Sequence, residues 1–309
     1  MAKLSKRNFL TGAELGRMDL EKLLDLAETL KTERADKIRR TDLAGRNLVA
    51  IYEKPSLRTH LSFSFAMIEL GGTVVDSFSA NRKSEEPEDV IRVLAGYADA
   101  VAVRTFDQSL LERMATKSTI PVINSLSNTH HPCQVLADLQ TLKQSFGKLE
   151  GVELAYVGDG NNMLHSLLLL CPYLGIKLRY ACPKGYEPSA FIVKSAKARA
   201  KEGGGSITAS SDPVAAVKGA QAVYTDVWAS MGFEKEQAAR EKAFEGFQLN
   251  AALYAQAAKD ALIMHCMPMQ RGGEITDEMA DHPNAVMFRQ SENRLHAQKA
   301  LLLTLLAPG

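Results

Sequence analysis

Two successive runs of short apolar segments, each alternating with stretches of helical periodicity, constrain this chain more than any other feature. The first run holds "NLVAIY", "TVVDS", "DAVAVRTF" and "PVINSL". The second begins after "GKLEG" and holds "VELAYVGD", "KLRYACP", "SITASSD", "AQAVYTDVW" and "ALIMHCMP". Stretches with apolar residues at helical spacing separate most of them, among them "HLSFSFAMIELGG", "EEPEDVIRVLAGYA" and "HPCQVLADLQTLKQSFG". Strands covered on both faces read as continuous apolar runs, and strand–helix alternation is the signature of a parallel sheet with helices on either side. The pattern predicts an α/β chain of two doubly wound parallel-sheet domains, residues 1–147 and 148–309, hinged near Gly147–Gly151. One or two helices are expected in "TGAELGRMDLEKLLDLAETLKTERAD". The last stretch, "SENRLHAQKALLLTLLA" at about 291–307, is apolar along one side and is expected to pack back on the first domain.

Composition narrows the partners. With 37 Lys+Arg against 36 Asp+Glu, nothing points to nucleic acid or an anionic membrane; an anionic small ligand needs only a local basic pocket. The basic N-terminus "MAKLSKRNFL" lacks a signal peptide's apolar core, and "HSLLLLCPYLG" is too short to span a bilayer. Cys133, Cys171, Cys182 and Cys266 show no CxxC spacing, so a reduced, cytoplasmic protein without disulfides is expected. His131 lies close to Cys133 and His265 adjoins Cys266, yet neither spacing is that of a zinc site; no metal and no cofactor are expected.

In open α/β sheets ligands sit beyond the carboxyl ends of strands. Six polar clusters fall there: Ser56–Thr59, Arg104–Thr105, His131–Gln134, Asp159–Asn162, Asp226–Met231 and His265–Pro268. Six together predict a ligand cleft between the domains, where any one would read as a helix cap or a surface charge. Arg58 and Arg104 follow separate strands and could grip one phosphate, seated on the helix start at Ser56–Thr59. His131 and Gln134 could donate to a carbonyl oxygen, with His130 an equally available decoy. Asp226 suits an ammonium group, with Ser230 assisting. "VGDGNNM" has two glycines of the dinucleotide fingerprint, but Met163 stands at the third and no acid ends the next strand, so a nicotinamide enzyme is disfavoured. Asn161 and Asn162 could satisfy turn backbone, or one could hold a carboxylate.

Together these segments resemble the aspartate/ornithine carbamoyltransferase family over nearly the whole chain. "SLRT" is similar to the family's S-x-R-T carbamoyl-phosphate motif, "HPCQ" to its H-P-x-Q, and "ENRLHAQKA" to its arginine-bearing C-terminal helix. "DVWASMG" resembles the D-x-W-x-S-M-G loop of the ornithine-directed members, which aspartate-directed ones lack, and "HCMP" resembles their H-C-L-P. The resemblance implies that Ser56, Leu57, Arg58, Thr59, Arg104, His131, Gln134, Cys266, Met267 and Arg294 bind carbamoyl phosphate. Of these, Arg58, Arg104, His131, Cys266 and Arg294 would carry catalysis. Asn162, Asp226, Ser230 and Met231 would hold ornithine, whose neutral δ-amine attacks the carbamoyl carbon to give citrulline and phosphate in arginine metabolism. A homotrimer or a multiple of trimers is implied. Two departures stand out. His60 occupies a position where relatives carry arginine, and the loop "SFSANRKSEEPED" is short, leaving Lys83 or Ser84 as candidates to reach a neighbouring subunit. Alternative readings are a transferase for a modified ornithine or a diamine, and a non-catalytic ligand-binding paralogue.

Overall fold

A computed structural model describes residues 8–54, 56–78, 85–229 and 236–307. Their contacts divide the chain into two compact units: Met1–Gln140 with Glu292–Gly309, and Thr141–Ser291.

The first unit carries a four-stranded parallel sheet in the order β2-β1-β3-β4. Its strands are β1 (Asn47–Tyr52), β2 (Thr73–Phe78), β3 (Ala100–Arg104) and β4 (Val122–Leu126). Central β1 pairs on both sides, with Val49 opposite Val75 on one flank and Val101 on the other. β3 and β4 are buried along almost their whole length, which is why they read as unbroken apolar runs. Ile51, Val101, Val103 and Val122 pack with Ile91, Leu111 and Met114 from the covering helices. Each such side chain contributes roughly 1.5–3 kcal/mol by leaving water. The N-terminal helical stretch forms one helix, α1 (Arg17–Ala35), buried through Leu20, Leu23, Leu24, Ala27 and Leu30.

The second unit holds a five-stranded parallel sheet in the order β7-β6-β5-β8-β9. It is built from β5 (Glu153–Val157), β6 (Lys177–Ala181), β7 (Ser206–Ser210), β8 (Ala222–Thr225) and β9 (Leu262–His265). β7 is an edge strand and largely exposed, which accounts for the polar "SITAS" in a strand position. β8 stops at Thr225, short of the segment "AQAVYTDVW" expected to be strand, so Asp226 stands just beyond its carboxyl end. Gly160 is needed for close packing rather than for a dinucleotide turn: a Cβ there would lie 2.3 Å from the backbone of Glu187 and Pro188. The C-terminal helix α12 (Met287–Leu306) begins four residues before the expected start, and from Glu292 onward it belongs to the first unit. There Lys299 pairs with Glu69 at 3.0 Å and Lys31 with Asn293 at 2.8 Å.

Candidate active site

Strand order decides which carboxyl ends become neighbours. In the first sheet the order reverses between β1 and β3, in the second between β5 and β8. Such a reversal opens a crevice, because successive connections leave in opposite directions. Both reversals coincide with polar clusters picked out from the sequence.

At the first reversal, helix α2 (Leu57–Glu69) starts directly after β1, with Ser56 at its N-cap position. Ser56 makes no side-chain cap. Its Oγ accepts instead from Arg104 Nη1, at 3.1 Å, across from the end of β3. The cap reading of this serine therefore gives way to a strand-end pairing. Glu53, which the sequence reading passed over, ties the same two strand ends: its Oε2 accepts from Thr105 Oγ1 at 2.7 Å and from the Phe106 N–H at 2.9 Å. A polar residue beyond each of two strands, β1 and β3, is the only sequence signal it left. Thr59 is fully buried and accepts from Arg294 Nη2 at 3.0 Å, while Arg294 Nη1 donates to Gln134 Oε1 at 3.2 Å. Gln134 lies on α5 (Pro132–Phe146), whose start brings His131 to the same place. The Gln134 nitrogen is turned to Asp138 Oδ1, at 2.9 Å, so toward Arg294 this residue presents an acceptor where a donor was expected.

The electrostatics of this cluster are unusual. Burial, then repulsion from Arg294 and Arg58, pushes the Arg104 guanidinium down to about 10. Burial followed by the Arg294 and Arg104 charges drives the His131 imidazole well below its ordinary value, so it is neutral. Arginines that destabilise one another's charge at a sheet's ligand edge gain from a bound anion. Leu57 is exposed. His60 Nε2 lies 2.6 Å from Asp76 Oδ2, and the ring meets Tyr52 edge-on at 5.6 Å. Cys133 is buried against the Asn124 carbonyl, with its thiol pushed up to about 12, which leaves it unreactive.

At the second reversal, Asn161 caps helix α6 (Asn162–Leu170). Its Oδ1 accepts from the N–H groups of Met163 and Leu164, and its Nδ2 donates to Asp226 Oδ2 at 2.7 Å. Asn161 thus takes the structural role, and Asn162 is the half-buried first residue of the helix beside it. The other Asp226 oxygen accepts from the Val227 N–H at 2.8 Å and from Cys266 Sγ at 3.0 Å. Cys266 follows β9 directly, and Met267 after it turns through a φ of 59°. That turn aims the Met267 N–H at His265 Nδ1, 2.9 Å away, leaving the ring proton on Nε2 directed at Glu274 Oε1, 2.9 Å away. Asp226, His265 and Cys266 lie close enough to surround a metal ion, but both His265 nitrogens are engaged in these bonds and offer no lone pair. Arg240 is a second residue that sequence reading missed. Buried, it donates through Nη1 to Asp159 Oδ2 and to the Trp228 carbonyl, each at 2.7 Å, and lies over the Tyr186 ring. Ser230 and Met231, expected at the ornithine, and Lys83 and Ser84, expected at a neighbouring subunit, lie outside the described residues.

Known proteins resemble this chain along its length. The carbamoyl-P binding domain model of the aspartate/ornithine carbamoyltransferases matches residues 7–144, and their Asp/Orn binding domain model matches residues 150–305. An ornithine carbamoyltransferase of Anoxybacillus flavithermus is 46% identical over 307 residues, covering 98% of each chain. Among solved structures, the ornithine carbamoyltransferase of Pyrococcus furiosus superposes with a TM-score of 0.96 at 42% identity, over 99% of both chains. That of Thermus thermophilus gives 0.88 at 41% identity, over 97% of this chain and 99% of its own. Two family models in the expected order, and likeness along the full length of these relatives, agree with the two polar strand-order reversals: the chain belongs to the aspartate/ornithine carbamoyltransferase family.

Proposed function

We infer that this chain transfers the carbamoyl group of carbamoyl phosphate to the δ-amine of L-ornithine, producing L-citrulline and phosphate. The observation that carries the reading is the separation of charge between the two sheets. Arg58, Arg104 and Arg294 repel one another around a neutral His131 in the first unit, while Asp226 stands with Asn161 and Cys266 in the second. The first cluster suits a dianionic phosphate and a developing oxyanion; the second suits an amino acid's ammonium. In this reading Ser56 and Thr59 seat the phosphate with Arg58 and Arg104. Arg294 and His131 polarise the carbamoyl oxygen, and Gln134 accepts from the carbamoyl NH2. Asn162 and Asp226 bind the α-substituents of ornithine, with Ser230 and Met231 assigned to the same task, and Cys266 with Met267 lines the path of the δ-amine. The amine's lone pair forms the new C–N bond, the carbon–oxygen bond to phosphate breaks, and its electron pair leaves with the phosphate. The amine sheds one proton. Positioning and charge stabilisation supply the rate, without a covalent enzyme intermediate. An alkyl ammonium titrates well above neutrality, so turnover rises with pH through the neutral range.

Citrulline as product assigns the reaction to arginine metabolism. Four free cysteines support a reducing, cytoplasmic setting, and among the described residues no helix is long and apolar enough to cross a membrane. A homotrimer is supported by Leu57, Leu61, Phe65 and Ile68, exposed by 68, 41, 48 and 58% on successive turns of α2, with Val75 on the adjoining edge strand. A second copy of the chain covers this stripe. Citrulline formation by the purified protein, assayed with ornithine, acetylornithine and putrescine, tests the reading. Turnover of ornithine alone is expected; preference for either other amine overturns the substrate assignment. Light scattering on Phe65→Glu tests the assembly, which should fall to smaller species.

A further inference from the structure

Gln134 has two neighbours that leave its amide a single orientation. Asp138 lies one helical turn along α5, and the carboxyl oxygen it turns toward Gln134 is an acceptor. It takes the amide nitrogen, with Nε2 donating to Asp138 Oδ1 at 2.9 Å. On the opposite side stands a guanidinium, which offers only donors. Arg294 Nη1 donates to Gln134 Oε1 at 3.2 Å, and Nη2 of the same group donates to Thr59 Oγ1 at 3.0 Å. Water has little access to correct an error here: Asp138 and Thr59 are fully buried, Gln134 is 1% exposed and Arg294 2%. Inverting the amide would set NH2 against guanidinium and carbonyl against the carboxyl oxygen, losing two buried hydrogen bonds at once.

We propose that Asp138 is a positioning residue for the reacting carbamoyl group: by fixing which end of the Gln134 amide faces Arg294, it aims the Gln134 oxygen and the Arg294 guanidinium together. The proposal takes its ligand from the carbamoyl-phosphate reading. Asp138 stands one side chain behind the Gln134–Arg294 bond, so it bears on the amide without placing a carboxyl oxygen where the anion must sit. Its effect is therefore specific. It should act on recognition of the planar carbamoyl end and spare the phosphate end, which Ser56, Arg58, Thr59 and Arg104 hold.

Two probes separate positioning from simple support of the fold: phosphonoacetamide, an unreactive analogue with both ends, and inorganic phosphate, with one. Asp138→Asn keeps the shape and gives the amide a partner that can donate or accept. Calorimetry should show phosphonoacetamide binding weakened about tenfold, because the Gln134 amide is no longer held to one orientation, and phosphate affinity changed less than about twofold. In a Gln134→Ala background, Asp138→Asn should add nothing further, because the group it orients is gone. Equal weakening for both probes, or additive losses in the double variant, overturns the proposal. If Asp138→Asn does not fold, Asp138→Ser provides the same comparison. A wild-type protein that binds phosphonoacetamide but forms no citrulline overturns the transferase reading and leaves the proposal to be decided by the double-variant result. A wild-type protein that does not bind phosphonoacetamide overturns both.

Discussion

The two sheets share a plan and differ in chemistry. Each is parallel, each reverses its strand order once near the middle, and each brings polar residues to the carboxyl ends at that reversal. At the first reversal the groups are donors: Arg104 on the end of β3, Arg58 on the first turn of α2, and Arg294. At the second, a buried carboxylate is the centre, held by an amide, a backbone N–H and a thiol. The arrangement of strands therefore settles where a ligand can sit, and the sign of the charge placed there settles which ligand. Neither follows from the other, which is why two similar topologies can present groups of opposite sign.

This contrast can be broken by exchanging what each reversal recognises. Arg58→Ala should weaken carbamoyl-phosphate binding by 100-fold or more, on the order of 3 kcal/mol, by removing a charged partner of a dianion. Calorimetry with the intact substrate would show it, and an unchanged affinity would remove Arg58 from the site. Asp226→Asn should do the reverse, raising the KM for ornithine roughly 10- to 100-fold while phosphate affinity stays put. A parallel loss in phosphate binding would mean that the two clusters do not work separately.

A smaller effect concerns stability under acid. His296, on α12 in the first unit, is buried, and burial with the nearby Lys31 charge pushes its imidazole down to about 4, with Glu292 pulling the other way. An unfolded histidine titrates near 6.5, so between about 6.5 and 4 the unfolded chain binds more protons than the folded one. Stability contributed by keeping this ring neutral is complete above that window and is lost as pH falls through it, by on the order of 1–2 kcal/mol. Thermal melts of wild type and His296→Gln across the window should converge as the pH drops; parallel curves would count against it. The smallest effect is expected at His60. Because its ring faces Asp76 and Tyr52, His60→Arg should change the KM for carbamoyl phosphate less than about twofold, as expected of a partly exposed polar contact. A larger change would bring the position back into the phosphate seat.

Much of this was readable beforehand, for physical reasons that differ from residue to residue. β3 and β4 were legible because a strand buried on both faces has nowhere to put a polar side chain. The helix starting at Leu57 was legible because "SLRT" follows an apolar strand and precedes a helical repeat. The roles of Ser56 and Asn161 were not. Both are ordinary cap residues, yet one caps and the other serves an arginine from a different strand, a choice made by what stands opposite. Arg240 was invisible, since a lone charge in a charged stretch reads as solvated surface until its partners are known, and Glu53 left only a polar residue at a strand end.

By itself, then, the order of amino acids determined the local facts: which segments extend, which coil, and which carry chemistry at their ends. These depend on side-chain periodicity over a few residues and need no distant partner. Tertiary structure alone decided that β1 lies beside β3, that Arg294 reaches Thr59 across 235 positions, and that Gln134 turns its oxygen to that arginine across 160. Those outcomes rest on hydrogen bonds between buried groups far apart in the chain, where removal from water makes a mismatched donor or acceptor too costly to keep.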